Sequence, residues 1–182
     1  GLGDVYKRQF MNRRLFTSVL FACLLPFMVQ AQQAVFRFAQ LTDIHLSPNN
    51  PNPTKDLLRS IAQINATDSI DFVLVTGDIA EEGDRTTMEK VKSCLDLLKV
   101  KYYVALGNHE TKWSDSGCTA FGEIFGGERF EFEHKGFLFL GFNSGPLMRM
   151  AYGHVVPQDI RWMTETMERY NACLLYTSPS PR

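Results

Sequence analysis

Short apolar runs alternate along the chain with longer stretches in which apolar residues recur every three or four positions. The runs at residues 36–41, 72–76 and 102–106 have the length and the aromatic and β-branched content of strands. Helical spacing fills the two intervals between them, over residues 54–64 and from Thr86 or Thr87 to about residue 98. This order predicts β-α-β-α-β units, which place the three strands parallel in one sheet with right-handed crossovers.

The same pattern predicts the remaining elements. Thr54 is expected to cap the first helix, and the second helix should bury an apolar stripe of Met88, Val91, Cys94, Leu95 and Leu98. Residues 120–125 suggest a short helix, and residues 129–133 and 137–142 a hairpin turning at His134, Lys135 and Gly136. Pro157 should open a last helix with Ile160, Trp162, Met163 and Met167 as its apolar residues.

Polar side chains follow each of the three strands directly. Asp43 and His45 come after the first, Gly77-Asp78 after the second, and Gly107-Asn108-His109-Glu110 after the third. Asp-x-His could simply cap a turn and Gly-Asp is a common turn, but all three clusters fall in consecutive units and carry metal-ligand chemistry. Loops at the carboxyl ends of parallel strands converge on one crevice. A dinuclear metal site there is the leading hypothesis.

The order Asp-x-His, Gly-Asp, Gly-Asn-His-Glu resembles the calcineurin-like metallophosphoesterase superfamily. The resemblance covers nearly all of residues 36–172 and implies an α/β fold, a four-layer α/β/β/α sandwich of two facing sheets with helices outside. It implies two metal ions, with Asp43 and His45 on the first, Asp78 bridging both, and Asn108 on the second. His109 would be catalytic, held by Glu110 beside the phosphate, where it protonates or stabilises the leaving oxygen. A hydroxide held by the metals would attack phosphorus.

The residue types fit that assignment. A carboxylate can bridge two cations through its two oxygens, and neutral imidazole and amide ligands leave the cluster positively charged for a phosphate. Because no cysteine accompanies the motifs, the expected metals are Mn, Fe or Zn in an oxygen and nitrogen site.

Departures from the family pattern narrow the subclass. No Arg follows Gly77-Asp78, and Glu81 stands where purple acid phosphatases have a Tyr ligand. The remaining pattern is similar to the bacterial cyclic-nucleotide phosphodiesterase-like branch. The family's later His and its Gly-His-x-His motif do not follow, since Gly153-His154 has Val156 in place of the last His. We therefore expect residues 32–172 to be the N-terminal part of the domain, inactive or weak by itself.

The two ends of the sequence are expected to have other origins. One DNA element in opposite orientations can encode both residues 1–9 and residues 173–182, and it is similar to an adapter used to prepare sequencing libraries. Residues 11–31 have a basic start at Arg13 and Arg14, an apolar centre interrupted by Pro26, and small residues near Ala31. This predicts a cleaved secretory signal peptide and an exported bacterial protein, periplasmic or secreted. A lipoprotein signal at Cys23 is disfavoured by the bulky residues around it.

Charge and cysteine content restrict the partners. The chain has 19 basic and 20 acidic side chains, of which five basic and one acidic lie in the terminal segments, so residues 32–172 carry a net charge of −5. No basic tract suggests nucleic acid, and no membrane span is expected after signal cleavage. The expected partner is a small phosphoester substrate. Cys94 and Cys118 could pair in an exported protein, but Cys94 fits a buried apolar position better.

Two other functions remain compatible with the sequence. A non-catalytic exported binding module that kept the fold differs from an enzyme only in the sequence beyond Ala172. A metal-free α/β domain that binds a nucleotide or sugar through its strand-end loops predicts no bound metal and no effect of a chelator.

Overall fold

The computed structural model describes residues 35–146, 150 and 152–170, so the predicted signal peptide and adapter segments lie outside the described residues. The strands are β1 (Phe38–Leu41), β2 (Phe72–Thr76), β3 (Lys101–Ala105), β4 (Phe130–His134) and β5 (Phe137–Gly141). The helices are α1 (Asn52–Ala66), α2 (Arg85–Leu95), α3 (Thr119–Phe125) and α4 (Pro157–Tyr170), with a five-residue π-helix at His109–Trp113. None of the described helices is both long enough and apolar enough to cross a bilayer.

The first three strands form the predicted parallel sheet, in the order β1-β2-β3. Successive side chains of a strand point to opposite faces, and β2 is buried on both. Val73 and Val75 pack into the apolar core with Leu57 of α1 and Met88 of α2. Phe72, from the other face, stacks on Phe38 with ring centroids 5.3 Å apart. The central strand therefore supports two separate apolar layers.

The second sheet is the hairpin of β4 and β5. Phe132 lies 5.1 Å from Phe72 and stacks on Tyr103 at 3.7 Å between ring centroids, so the hairpin faces the parallel sheet across a layer of aromatic rings. Glu131 points to the opposite face and accepts a hydrogen bond from Thr166 of α4. Helices, parallel sheet, hairpin and α4 thus form four layers, as the resemblance implied.

The prediction that His134 is a turn residue is wrong. His134 pairs with Phe137 as the last residue of β4, and the turn consists of Lys135 and Gly136 alone. Both have positive φ, 50° and 84°, which is the backbone that a two-residue hairpin turn of the right twist requires.

Helix starts also differ from the prediction. α1 begins at Asn52, and the Thr54 hydroxyl is buried without a hydrogen-bond partner instead of capping it. α2 begins at Arg85 because Asp84 is the cap, with its carboxylate accepting from the Thr87 N–H at 2.9 Å. Leu98 lies beyond the end of α2, although it still packs on the core. Short polar side chains compete for such caps, so apolar spacing alone does not locate them.

α4 is held by polar contacts more than by its apolar residues. Asp159, which is 5% exposed, pairs with Arg129, whose guanidinium also lies over the Trp162 ring. Of the apolar residues of the predicted helix, Ile160 is 53% exposed and Trp162 is half-buried. The inward face of the helix thus includes the polar residues Asp159 and Thr166.

An ionic cluster closes the amino-terminal end of the parallel sheet. Asp71, just before β2, accepts hydrogen bonds from the Arg37 N–H at 3.0 Å, from His134 at 3.0 Å and from the Lys135 ammonium at 2.9 Å. The backbone hydrogen bond from Arg37, followed by the Lys135 contact, lowers the pKa of Asp71 from 3.8 to about 2. This carboxylate connects the two sheets at the end away from the three motifs.

Candidate metal centre

The loops after β1 and β2 run side by side because the parallel ladder continues beyond the strands. Asp43 N–H donates to the Gly77 carbonyl at 3.2 Å, and His45 N–H donates to the Asp78 carbonyl at 2.9 Å. Leu46 N–H donates to the Ile79 carbonyl at 3.0 Å. Main-chain hydrogen bonds therefore hold the first and second sequence motifs side by side, as the convergence of strand-end loops predicted.

Both loops hold non-glycine residues in left-handed backbone. φ is 53° at Asp43, 47° at His45 and 51° at Asp78, and the preceding Gly77 has φ 89°. A left-handed conformation is unfavourable for residues with a Cβ and is enriched at functional sites. Three of the predicted ligands thus have a strained backbone conformation, which the surrounding loop structure maintains.

The third loop is fastened to the second by a buried carboxylate. Glu110, which is fully buried, accepts from the N–H groups of Asp78 at 3.0 Å, Ile79 at 2.9 Å, Ala80 at 3.0 Å and Gly107 at 2.8 Å. Burial raises the pKa of Glu110, while the N–H groups of Ala80, Gly107 and Ile79 oppose that shift. All four donors belong to the Gly-Asp and Gly-Asn-His-Glu loops, so one side chain sets the distance between two motifs.

The expectation that Glu110 holds His109 is therefore wrong. The Glu110 carboxylate faces the main chain of the neighbouring loop, and the His109 ring finds another partner: its Nδ1 lies 2.5 Å from the Glu81 carbonyl oxygen. The π-helix that starts at His109 sends consecutive residues in different directions, and the sequence motif does not reveal which way each points.

Glycines allow the loops to approach this closely. A Cβ on Gly107 would lie 2.1 Å from the Asp78 Oδ1 atom, and one on Gly77 would lie 2.6 Å from the Gly107 Cα atom. Neither position has room for a side chain. Both glycines are thus required by the contact between the loops, and Gly77 also by its positive φ of 89°.

The two imidazoles meet above these loops. The ring centroids of His45 and His109 are 4.6 Å apart and nearly perpendicular, at 89°. His45 Nδ1 lies 2.8 Å from the Glu81 carboxylate, and its Nε2 lies 3.9 Å from an Asp43 oxygen. Glu81 contacts both imidazoles, through its side chain and its carbonyl. Sequence reasoning noted Glu81 only as a departure from the family pattern.

The donor atoms converge as a metal site requires. One ligand atom from each of His45, Asp78 and His109 lies within 4.8 Å of the other two. Asp78 is 5% exposed, whereas Asp43 is exposed at the rim, and Asn108 directly precedes His109. Imidazole nitrogens and carboxylate oxygens suit Mn, Fe or Zn, so these residues fit the expected metals. The geometry brings His109 into the donor group alongside the predicted ligands.

Residues near the second sheet make hydrogen bonds outside this donor group, through the Asn143 side chain and the His154 main chain. The Asn143 amide donates to Glu128 at 2.8 Å and to the Cys118 sulfur at 3.2 Å, and His154 N–H donates to the Ser144 carbonyl at 3.2 Å. Cys94 and Cys118 are both free thiols. Burial, followed by the Glu128 charge, raises the pKa of Cys118 to about 11, so it is a protonated thiol at neutral pH. The donor group above therefore contains no thiolate.

Comparison with known proteins places this site in a family. The chain is 25% identical over 118 residues to the uncharacterized protein YvnB of Bacillus subtilis, covering 56% of this chain and 9% of that protein. It is 30% identical over 83 residues to a probable cyclic nucleotide phosphodiesterase of Xenorhabdus bovienii, covering 41% of this chain and 34% of that protein. The chain thus spans only a minor part of the length of these relatives. The model of the calcineurin-like phosphoesterase family matches residues 36–170, and the chain belongs to that family.

Proposed function

We propose that the full-length protein hydrolyses phosphoester bonds with a hydroxide activated by two metal ions. The observation that carries the proposal is that two proposed ligands, His45 and Asp78, and the proposed proton donor His109 bring their donor atoms within 4.8 Å of one another at the carboxyl end of the parallel sheet. Membership of the calcineurin-like phosphoesterase family supports the same reaction class. The substrate is a small phosphodiester or phosphomonoester.

The residues divide into ligands and a proton donor. Asp43 and His45 would hold the first metal, Asp78 would bridge, and Asn108 would hold the second. Bound metal ions of this kind supply hydroxide at neutral pH and stabilise charge on the attacking and leaving oxygens. The rim position of Asp43 and the burial of Asp78 fit one ligand open to solvent and one enclosed between the loops.

His109 is proposed to donate a proton to the leaving oxygen. Because a carbonyl oxygen only accepts hydrogen bonds, the 2.5 Å contact with the Glu81 carbonyl requires that Nδ1 carries a proton. Nε2 is then the atom available to the substrate. Nε2 donates a proton when the imidazole is charged and regains one afterwards, which is the behaviour of a general acid.

The relative from Xenorhabdus bovienii supports a cyclic nucleotide as one candidate substrate, since that protein is a probable cyclic nucleotide phosphodiesterase. The net negative charge outside the terminal segments makes a small ester a better fit than nucleic acid. We also propose that the protein is exported to the periplasm or secreted, on the basis of the signal-like residues 11–31.

The test uses purified full-length protein and model phosphodiesters and phosphomonoesters. We expect hydrolysis that stops on treatment with a chelator and returns on addition of Mn²⁺ or Zn²⁺. Hydrolysis that persists in metal-free protein would contradict the proposal. The absence of both bound metal and hydrolysis would favour the metal-free α/β binding domain instead.

A further inference from the structure

Glu81 occupies a fixed place between the two metal-site loops. Its N–H donates to the Leu46 carbonyl at 2.8 Å, which ties the loop after β2 to the loop after β1. Its carboxylate lies 2.8 Å from His45 Nδ1. The main-chain hydrogen bond sets where the side chain starts, so the carboxylate reaches His45 without a rearrangement of either loop.

The carboxylate selects one tautomer of His45. An ionised carboxylate only accepts hydrogen bonds, so Nδ1 of His45 carries the proton and Nε2 presents its lone pair. Nε2 is also the His45 nitrogen that lies 3.9 Å from the Asp43 carboxylate, on the side of the proposed first metal. The hydrogen bond therefore turns the ligand nitrogen toward its co-ligand.

The other imidazole depends on a different part of the same residue. His109 Nδ1 contacts the Glu81 carbonyl oxygen, not the carboxylate. A substitution at position 81 removes the partner of His45 and leaves a main-chain carbonyl for His109. The two imidazoles can thus be distinguished by one mutation.

We infer that Glu81 is a positioning residue that holds His45 in the tautomer and orientation needed to bind the first metal. The inference rests on the proposed function, because it concerns the same site. Carboxylates that accept from the second nitrogen of a metal-bound His typically contribute 10- to 100-fold in metal affinity. Glu81 acts through His45 and is given no contact with substrate.

The experiment compares Glu81→Met and Glu81→Gln in the full-length protein. Both side chains match Glu in length, and the Glu81 side chain is 44% exposed, so neither should disturb the fold. The Gln carbonyl oxygen can still accept from Nδ1, whereas the Met thioether is only a weak acceptor. Glu82→Met, at the exposed neighbouring position, controls for loss of one negative charge.

Two measurements are made on each protein: Zn²⁺ affinity by titration, and the tautomers of ¹⁵N-labelled histidines by NMR without metal. We expect Glu81→Met to weaken Zn²⁺ binding about 10- to 100-fold, Glu81→Gln to recover most of it, and Glu82→Met to match wild type. His45 should shift toward the Nε2–H tautomer in Glu81→Met, while His109 keeps its Nδ1–H signal.

Three outcomes would overturn the inference. The first is unchanged Zn²⁺ affinity in Glu81→Met, and the second is equal loss in the Met and Gln variants. The third is a shift of the His109 signals in place of those of His45.

The His45→Ala variant separates the inference about Glu81 from the proposed function. If wild type binds Zn²⁺ and His45→Ala does not, the metal site is supported even where Glu81 has no effect. A wild-type protein that binds no metal contradicts the proposed function itself.

Discussion

The two ends of the parallel sheet each contain a carboxylate that joins separate parts of the chain, but they do so by opposite means. At the amino-terminal end, Asp71 accepts from a main-chain N–H, an imidazole and an ammonium, and its pKa falls to about 2. At the carboxyl end, Glu110 is fully buried and accepts only from main-chain N–H groups, and burial raises its pKa.

The difference lies in whether a basic side chain neutralises the carboxylates at each end. At the amino-terminal end, the Asp71 carboxylate is neutralised by an ion pair with Lys135 at 2.9 Å. At the carboxyl end, main-chain N–H groups hold the loops together through Glu110, and no basic side chain is needed there. Among the described residues, no Lys or Arg forms an ion pair with Asp43 or Asp78. The carboxylates of the site remain available to metals.

The most severe disruption of the carboxyl end should come from Asp78→Ala in the full-length protein. If Asp78 bridges two ions, its loss should remove metal and reduce hydrolysis to background. This loss of turnover is larger than the about 10²–10⁴-fold loss expected when a proton-transfer group is removed. Metal content by mass spectrometry and turnover of a phosphodiester would be measured together. Asp68→Ala, at an exposed position, is the control. Wild-type activity in Asp78→Ala would exclude the bridging role.

The second prediction separates proton donor from ligand at His109. We expect His109→Ala to lower kcat about 10²–10⁴-fold with metal content near wild type, and to lose less with nitrophenyl esters, whose leaving groups need little protonation. His134→Ala, at the opposite end of the sheet, should leave kcat unchanged. Loss of metal in proportion to activity would instead make His109 a ligand, in line with its place in the donor group.

The third prediction concerns the buried link. In Glu110→Gln one oxygen becomes an NH₂ group facing two buried N–H donors, and each unsatisfied donor costs about 1–3 kcal/mol. We expect the free energy of unfolding in urea to fall by at least about 2 kcal/mol. Glu133→Gln, at an exposed position of β4, should stay within about 0.5 kcal/mol of wild type. Equal stability of the two variants would mean that Glu110 does not fasten the loops.

The smallest effect is expected at the other end. A carboxyl group whose pKa is lower in the folded protein contributes stability above its unfolded pKa, and that contribution disappears as pH falls through the folded value. For Asp71 the window runs from pH 3.8 down to about 2. As pH falls across that window, the free energy of unfolding of wild type should decrease more steeply than that of Asp71→Asn. The same pH dependence of stability in both proteins would show that the Asp71 carboxylate does not link the two sheets.

Local patterns were sufficient for the elements and for the approximate place of the site. The apolar run that predicted β2 matches its bounds, Phe72–Thr76, because a central strand is buried on both faces and lacks ambiguity at its ends. The convergence of His45 with Asp78 followed from parallel strands alone. Edge strand β1 is two residues shorter than predicted, although Phe36 still packs against the hairpin, 5.2 Å from Phe137.

The contacts that position the site could not be predicted, because they join residues far apart in sequence. Glu110 binds the loop after β2, and Glu81 binds His45 of the loop after β1. Apolar periodicity carries no information about such polar pairs, and a motif gives residue types without their directions. The π-helix makes these directions harder to predict, because its wider turn changes where Glu110 points relative to His109.

The left-handed backbone at Asp43, His45 and Asp78 also affects which substitutions would stabilise the fold. Each such residue destabilises the fold by on the order of 1–3 kcal/mol, and glycine would relieve the strain at the same position. Glycine at any of the three positions would therefore relieve backbone strain and at the same time remove a proposed metal ligand. Stability and metal binding thus place opposite demands on these positions.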